Sequence, residues 1–272
     1  MEIIESILLG LIQGLTEFLP VSSSGHLVLL QSLFSYEEHN LAFDIAVHLA
    51  TLLSVVTVYR KTILELCESP VKALKERQLN DGLRVILLMF YASIPTGIIG
   101  LAFKDQFEQL FNSLGAVGGF LIFTGLVLLG TRRVRGVLHR EQSLNTLVKE
   151  MTPLKAVVVG FAQSVAICPG VSRSGSTIAT CLYLGASRDT AALFSFLISI
   201  PAILGASVLQ LKDVNWSEFE WQPFAVGFIV AYISGVIGLT LVLRFVKKGR
   251  LEVFSPYLFV VGLTAIYFGF IH

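Results

Sequence analysis

The sequence predicts an all-α polytopic membrane protein with six transmembrane helices and two re-entrant helix–loop–helix segments, arranged as an inverted repeat. Three observations predict it. Of 272 residues, 54% are hydrophobic and 14% charged, against about 25% charged in a soluble domain, and the mean hydropathy is +0.76. The apolar stretches have the length of membrane spans. Two of them are interrupted by polar islands that align with each other at a shift of 150 residues. We read residues 1–272 as a single membrane domain with halves near 1–150 and 151–272.

The first apolar stretch, 5–33, is broken by Gln13-Gly14-Leu15-Thr16-Glu17-Phe18-Leu19-Pro20-Val21-Ser22-Ser23-Ser24-Gly25-His26. Pro20 and Gly25 interrupt the helix, and irregular backbone at membrane depth survives only inside protein or beside a water-filled cavity. Spans follow at 43–59, 83–103 and 115–131. A second broken stretch, 154–182, carries Pro169-Gly170-Val171-Ser172-Arg173-Ser174-Gly175-Ser176-Thr177, and spans at 190–211, 222–245 and 255–271 complete the chain. Each uninterrupted stretch can cross a hydrocarbon core of about 30 Å. If the broken stretches enter and return, 17 of the 20 Lys and Arg residues fall on one face, including Arg135 and Arg140. That asymmetry puts the basic face in the cytoplasm and both termini outside. Glu37-Glu38, Leu211-Lys212-Asp213 and Arg132-Arg133-Val134-Arg135 read as solvated ends. The acidic start, Met1-Glu2-Ile3-Ile4-Glu5, argues against a cleaved signal peptide. Cys67, Cys168 and Cys181 have no framework or metal spacing. No nucleotide loop or nucleic-acid patch is present.

Six identities in positions 10–25 support the repeat: Gly10/Gly160, Gln13/Gln163, Val21/Val171, Ser22/Ser172, Ser24/Ser174 and Gly25/Gly175. A re-entrant pair plus three crossings makes an odd number, so the halves are inverted and their loops can meet near the midplane. The chemistry is not repeated: Glu17 aligns with Ile167, Ser23 with Arg173 and His26 with Ser176.

Ionisable groups within such stretches cost about 2.5–3.5 kcal/mol each on insertion scales, which makes a functional site the default reading. Arg173 offers a planar fork suited to phosphate oxygens, and Ser172, Ser174, Ser176 and Thr177 can donate to the same anion; the bland alternative is an arginine that caps helix carbonyls. Gln13 and Glu17 share a helical face. Glu17 can ligate a divalent cation, with Gln13 adding a neutral oxygen, or act as a general base, or simply pair with Arg173. Ser22, Ser23 and Ser24 include a candidate nucleophile, and His26 a candidate base or acid, though a lone histidine is as easily a core residue. Asp44 and His48, also four apart, contact the site or merely bond between helices.

These residues resemble the undecaprenyl-pyrophosphate phosphatase family, integral membrane enzymes associated with bacitracin resistance. The resemblance rests on Gln13 to His26, on Pro169 to Thr177 and on Phe194-Ser195-Phe196-Leu197…Pro201. It departs at Gln13, where the family also has Glu, and at Leu193, where the family pattern favours a charged residue. The resemblance implies hydrolysis of a C55 polyprenyl diphosphate to the monophosphate and inorganic phosphate, recycling the carrier for cell-wall synthesis. It implies a divalent cation such as Mg2+, competition with bacitracin for the lipid, and an outward-facing site in a bacterial plasma membrane. The expected catalytic set is Glu17, Ser23, His26 and Arg173. Ser22, Ser24, Ser172, Ser174 and Thr177 are expected to help bind phosphate. The competing reading is a carrier that moves polyprenyl phosphate between leaflets, because inverted repeats with broken helices also mark transporters.

Overall fold

In the computed structural model, which describes residues 2–34, 41–134, 143–214 and 221–271, Pro20 ends the first helix as expected. A residue before proline is biased to extended backbone; Leu19 has φ −61° and ψ 142°, and α1 (Ile3–Phe18) stops one residue earlier. The chain restarts as α2 (Ser23–Phe34). It continues through α3 (Leu41–Val58), α4 (Arg60–Glu76), α5 (Asp81–Ala102), α6 (Lys104–Phe111), α7 (Leu114–Gly130) and α8 (Leu144–Glu150). The second broken stretch forms α9 (Pro153–Val165) and α10 (Arg173–Tyr183), followed by α11 (Arg188–Gln210), α12 (Trp221–Lys248) and α13 (Ser255–Ile271).

Among the described residues, six helical segments are long and apolar enough to span a membrane, and they coincide with the six predicted crossings. The protein is a multi-pass, all-α membrane protein. The broken helices are shorter. At 16 residues, α1 is about 24 Å long at 1.5 Å per residue, less than the ~30 Å core. Glu37, Glu38, Arg135 and Arg140 lie outside the described residues.

Small residues let the broken helices pack backbone to backbone against spans. α1 lies along α12, where a Cβ on Gly10 would stand 2.6 Å from the Gly227 carbonyl oxygen. α9 lies along α5, with Gly160 against the Ala92 backbone. A hydroxyl ties each contact: Ser234 Oγ donates to the Gly10 carbonyl at 3.3 Å, and Thr96 Oγ1 donates to the Gly160 carbonyl at 3.2 Å. The two loops are reciprocal as well. Gly25 packs on Gly170, while Gly175 packs on Pro20, the residue aligned with Gly170. Paired contacts of this kind, i with j and j's equivalent with i's equivalent, are what a two-fold relation between halves produces.

The core sits around this meeting point. Phe18, Phe194, Phe196, Leu121, Ile178, Leu197, Ile198 and Leu239 are fully buried, and the first half of α11 is buried on every side. Leu193, 1% exposed, belongs to this hydrophobic cluster.

A side chain forced between these backbones should be expensive. Gly160→Leu should lower the melting temperature of the detergent-purified protein through overpacking of about 1–3 kcal/mol or more. Gly119→Leu, at a position whose Cβ would meet nothing within 4 Å, should melt like the parent.

Candidate active site

The two polar islands meet at one carboxylate. Glu17 sits on the last turn of α1, beside the stretch of α12 where Gly238 packs on Gly14 and Leu15. That stretch lies in the middle third of α12, so the carboxylate lies well inside the thickness that α12 spans. Arg173, the first residue of α10, pairs with Glu17 Oε1 through Nη2. Its Nη1 donates to the Ser199 carbonyl at 3.4 Å. On the other carboxylate oxygen, Oε2, Ser23 Oγ donates at 2.6 Å and Gln13 Nε2 at 3.0 Å. The side chains of Glu17 and Arg173 are 6% and 19% exposed.

Positions 23 and 173 are equivalent in the repeat, and both grip this carboxylate, one on each oxygen. A small cavity opens beside them, lined by Glu17, Phe18, Arg173, Ser174, Ser195, Phe196 and Ser199. Arg173 carries five N–H donors, more than its bonds to Glu17 and Ser199 use.

The serines of the two islands divide into caps and site groups. Ser22 Oγ accepts from Gly25 N at 3.3 Å and from Gly170 N at 3.1 Å. Ser172 Oγ accepts from Gly175 N at 3.1 Å as the N-cap of α10. Ser22 and Ser24 lie 3.3 Å apart through their hydroxyls, and so do Ser172 and Ser174. The repeated Ser-x-Ser-Gly is thus first a helix-start device, satisfying amide groups that would otherwise lack partners. Ser174 additionally lines the cavity and donates weakly to the Leu19 carbonyl at 3.4 Å. Thr177 Oγ1 bonds the Arg173 carbonyl at 2.8 Å and Ser195 Oγ at 2.5 Å, which braces the arginine's helix against α11.

Two candidate histidines, His26 and His48, take different places. His48 comes to the site: its Nε2 is 4.0 Å from Glu17 Oε2, with Nδ1 2.8 Å from the Asp44 carbonyl. For Asp44, it is this main-chain oxygen that orients the ring. His26 turns away. Its Nδ1 bonds the Ser22 carbonyl at 2.7 Å and its Nε2 bonds Tyr257 Oη at 2.6 Å. The structure therefore joins Ser23 to Glu17 directly, without His26 between them.

For a divalent cation, the donor set is one carboxylate, Glu17, plus Gln13 Oε1, which is buried with no hydrogen-bond partner. Among the described residues, no group of three or more His, Cys, Asp or Glu could cage a metal. This set fits Mg2+, which is commonly held by one or two carboxylates together with substrate phosphates rather than by a full protein cage.

Several participants escaped the sequence reading. Thr124 on α7 donates to the Gly170 carbonyl at 3.0 Å and accepts from Ser172 N at 3.1 Å, fixing the second loop. Ser199 and Tyr257 were also missed. Each stands between apolar neighbours, with no polar island to mark it; Ser195 was flagged only within the family's Phe-Ser-Phe stretch.

The family model described as Bacitracin resistance protein BacA matches residues 6–264. An undecaprenyl-diphosphatase of Carboxydothermus hydrogenoformans is 43% identical over 267 residues, covering 96% of this chain and 95% of that one. Another of the same name, from Desulforapulum autotrophicum, is 42% identical over 283 residues with both chains fully covered. A third, from Methanosphaera stadtmanae, is 36% identical over 279 residues and 98% of each chain. With a match of this extent and both of its motifs meeting at Glu17, the chain belongs to the bacitracin resistance protein BacA family.

Proposed function

We propose that the chain hydrolyses undecaprenyl diphosphate to undecaprenyl phosphate and inorganic phosphate, as the names of its relatives say of them. The observation that carries the reading is Ser23 Oγ, 2.6 Å from a carboxylate oxygen whose partner oxygen is held by Arg173. A nucleophile within hydrogen-bond reach of its base, beside a cation for the developing charge, is the arrangement acyl and phosphoryl transfer require.

The reaction divides into two balanced steps. Ser23 Oγ bonds to the terminal phosphorus and passes its proton to Glu17. The bond from that phosphorus to the bridging oxygen breaks, and its electron pair leaves with undecaprenyl phosphate. Water then attacks the phosphoserine, Ser23 leaves and recovers its proton from Glu17, and inorganic phosphate carries away the water's oxygen. Arg173 orients the diphosphate and offsets charge on the leaving oxygen. Glu17 and Gln13 are the residues that would hold Mg2+ when it arrives with the diphosphate, where it would neutralise phosphate charge. A lipid carrier has use for the arginine but not for a hydroxyl held on a carboxylate, which weighs against the transport alternative.

The same reading places the protein in a bacterial plasma membrane, with termini and site outward and two inverted halves near 1–150 and 151–272. The lysines and arginines of the loops support that orientation. Bacitracin would compete by sequestering the diphosphate substrate.

Phosphate release from a polyprenyl diphosphate should fall about a hundredfold or more in Ser23→Ala and Glu17→Ala, the scale of losing a nucleophile or base. Arg173→Ala should also lose about 3–5 kcal/mol of stability by leaving a buried carboxylate unpaired. Arg173→Lys keeps the charge but not the fork, so its folded protein should remain impaired in kcat. Rapid quenching should trap phosphate on Ser23, and activity should vanish in EDTA and return with Mg2+. Cys67 is exposed on α4, whereas Cys168 and Cys181 are buried. An impermeant thiol reagent should therefore label Cys67 in inside-out vesicles and not in right-side-out ones.

A further inference from the structure

Ser22 has φ +70°, in the left-handed region, and it is the residue immediately before the proposed nucleophile. A non-glycine residue stays there only where its surroundings over-determine it. The repeat supplies an internal comparison. Ser172, its equivalent, caps its helix through the same hydroxyl bond yet keeps an ordinary φ of −74°. Capping therefore does not demand the unusual backbone.

Besides Pro20 against Gly170 (φ +99°) and Ser23 against Arg173, the loops differ at the residue four positions on. In the second half, the backbone N–H of Ser176 donates to the Ser172 carbonyl at 2.9 Å, while Ser176 Oγ is buried without a partner. In the first half, His26 bonds the Ser22 carbonyl twice, from its backbone N at 3.2 Å and from ring Nδ1 at 2.7 Å. Its Nε2 meets Tyr257 Oη at 2.6 Å, and the two rings stack with centroids 5.7 Å apart and planes 9° apart. A carbonyl only accepts, so Nδ1 carries the proton. In the neutral ring Nε2 is then the acceptor, and the Tyr257 hydroxyl donates to it.

We propose that Tyr257 is a positioning residue for the hydrolysis, acting through His26: it locks the imidazole tautomer that holds Ser22 in its left-handed conformation and so aims Ser23 at Glu17. Both ring nitrogens are committed to this task, and none of the ring's hydrogen bonds goes to Ser23, Glu17 or Arg173. The role of His26 is to hold the loop, and α13 enters the reaction through one hydroxyl. Where α7 uses Thr124 to fix the second loop, α13 uses Tyr257 to fix the first. The inference rests on the Ser23–Glu17 reading of the reaction.

The test uses the full chain in detergent, releasing phosphate from a polyprenyl diphosphate. Tyr257→Phe keeps the stacked ring and removes the donor; kcat should fall about tenfold, with KM within about twofold and the melting temperature unchanged. Glycine adopts positive φ freely, so in a Ser22→Gly background the same substitution should change kcat by less than about twofold. Equal loss in both backgrounds, or no loss in the parent, overturns the proposal. Should Ser22→Gly be inactive, 15N spectra of the imidazole, assigned by the signal missing in His26→Gln, decide instead. The Nδ1-protonated tautomer should dominate in the parent and mix in Tyr257→Phe; an Nε2-protonated parent overturns the proposal. Ser23→Ala and Glu17→Ala are assayed alongside. If they stay active, the reaction reading itself fails. If they lose activity while Tyr257→Phe does not, only the positioning role falls.

Discussion

The ion pair between Glu17 and Arg173 is the constraint around which the two broken helices are arranged. Neither charge belongs within a span-length stretch of apolar sequence by itself. The carboxylate arrives on α1 and the guanidinium on α10, so each can be accommodated only when the two loops meet. A buried pair of this kind is not an efficient way to gain stability, because desolvating both ions offsets most of their attraction. Its retention makes sense as chemistry. The same carboxylate accepts from Ser23 and Gln13, so the pair holds the proposed nucleophile beside the guanidinium proposed to bind phosphate.

The remaining packing follows from bringing those loops together. Each broken helix approaches a span of the other half closely enough for backbones to touch, which only glycine and other small residues permit. That is why Gly10 and Gly160 are identical in the repeat, and why Gly25 and Gly175 are as well. Ser22 and Ser172 are identical because each loop must restart a helix inside the protein, where an uncapped N–H has no water to bond. Most shared positions pack or cap, although Gln13 also donates to Glu17 and Ser174 also lines the cavity. Glu17, Ser23 and Arg173, which meet at one carboxylate, stand where the two halves differ.

Much of this was legible along the chain because hydropathy, helix breakers and motif spacing are local. The six crossings, the interruption of two further apolar stretches, and the roles open to Glu17, Ser23 and Arg173 needed no three-dimensional information. His26 shows where such reasoning stops. Next to a run of serines it read as a candidate base or acid, or as a core residue; its ring reaches backward to Ser22 and outward to Tyr257, 231 residues away. His48, a secondary candidate by spacing, instead faces Glu17.

By itself the sequence determined the membrane class, the six apolar spans, the repeated motif and the inventory of reactive groups, because each depends on composition or on local pattern. Only the tertiary structure decided that Ser23 rests on Glu17 directly, that Arg173 completes the pair and that Thr124 and Tyr257 fix the loops. A side chain's partner is set by helix packing and by the direction its Cα–Cβ bond takes from the backbone. Both are properties of the assembled bundle, and a lone threonine or tyrosine in an apolar span leaves no local pattern to reveal them.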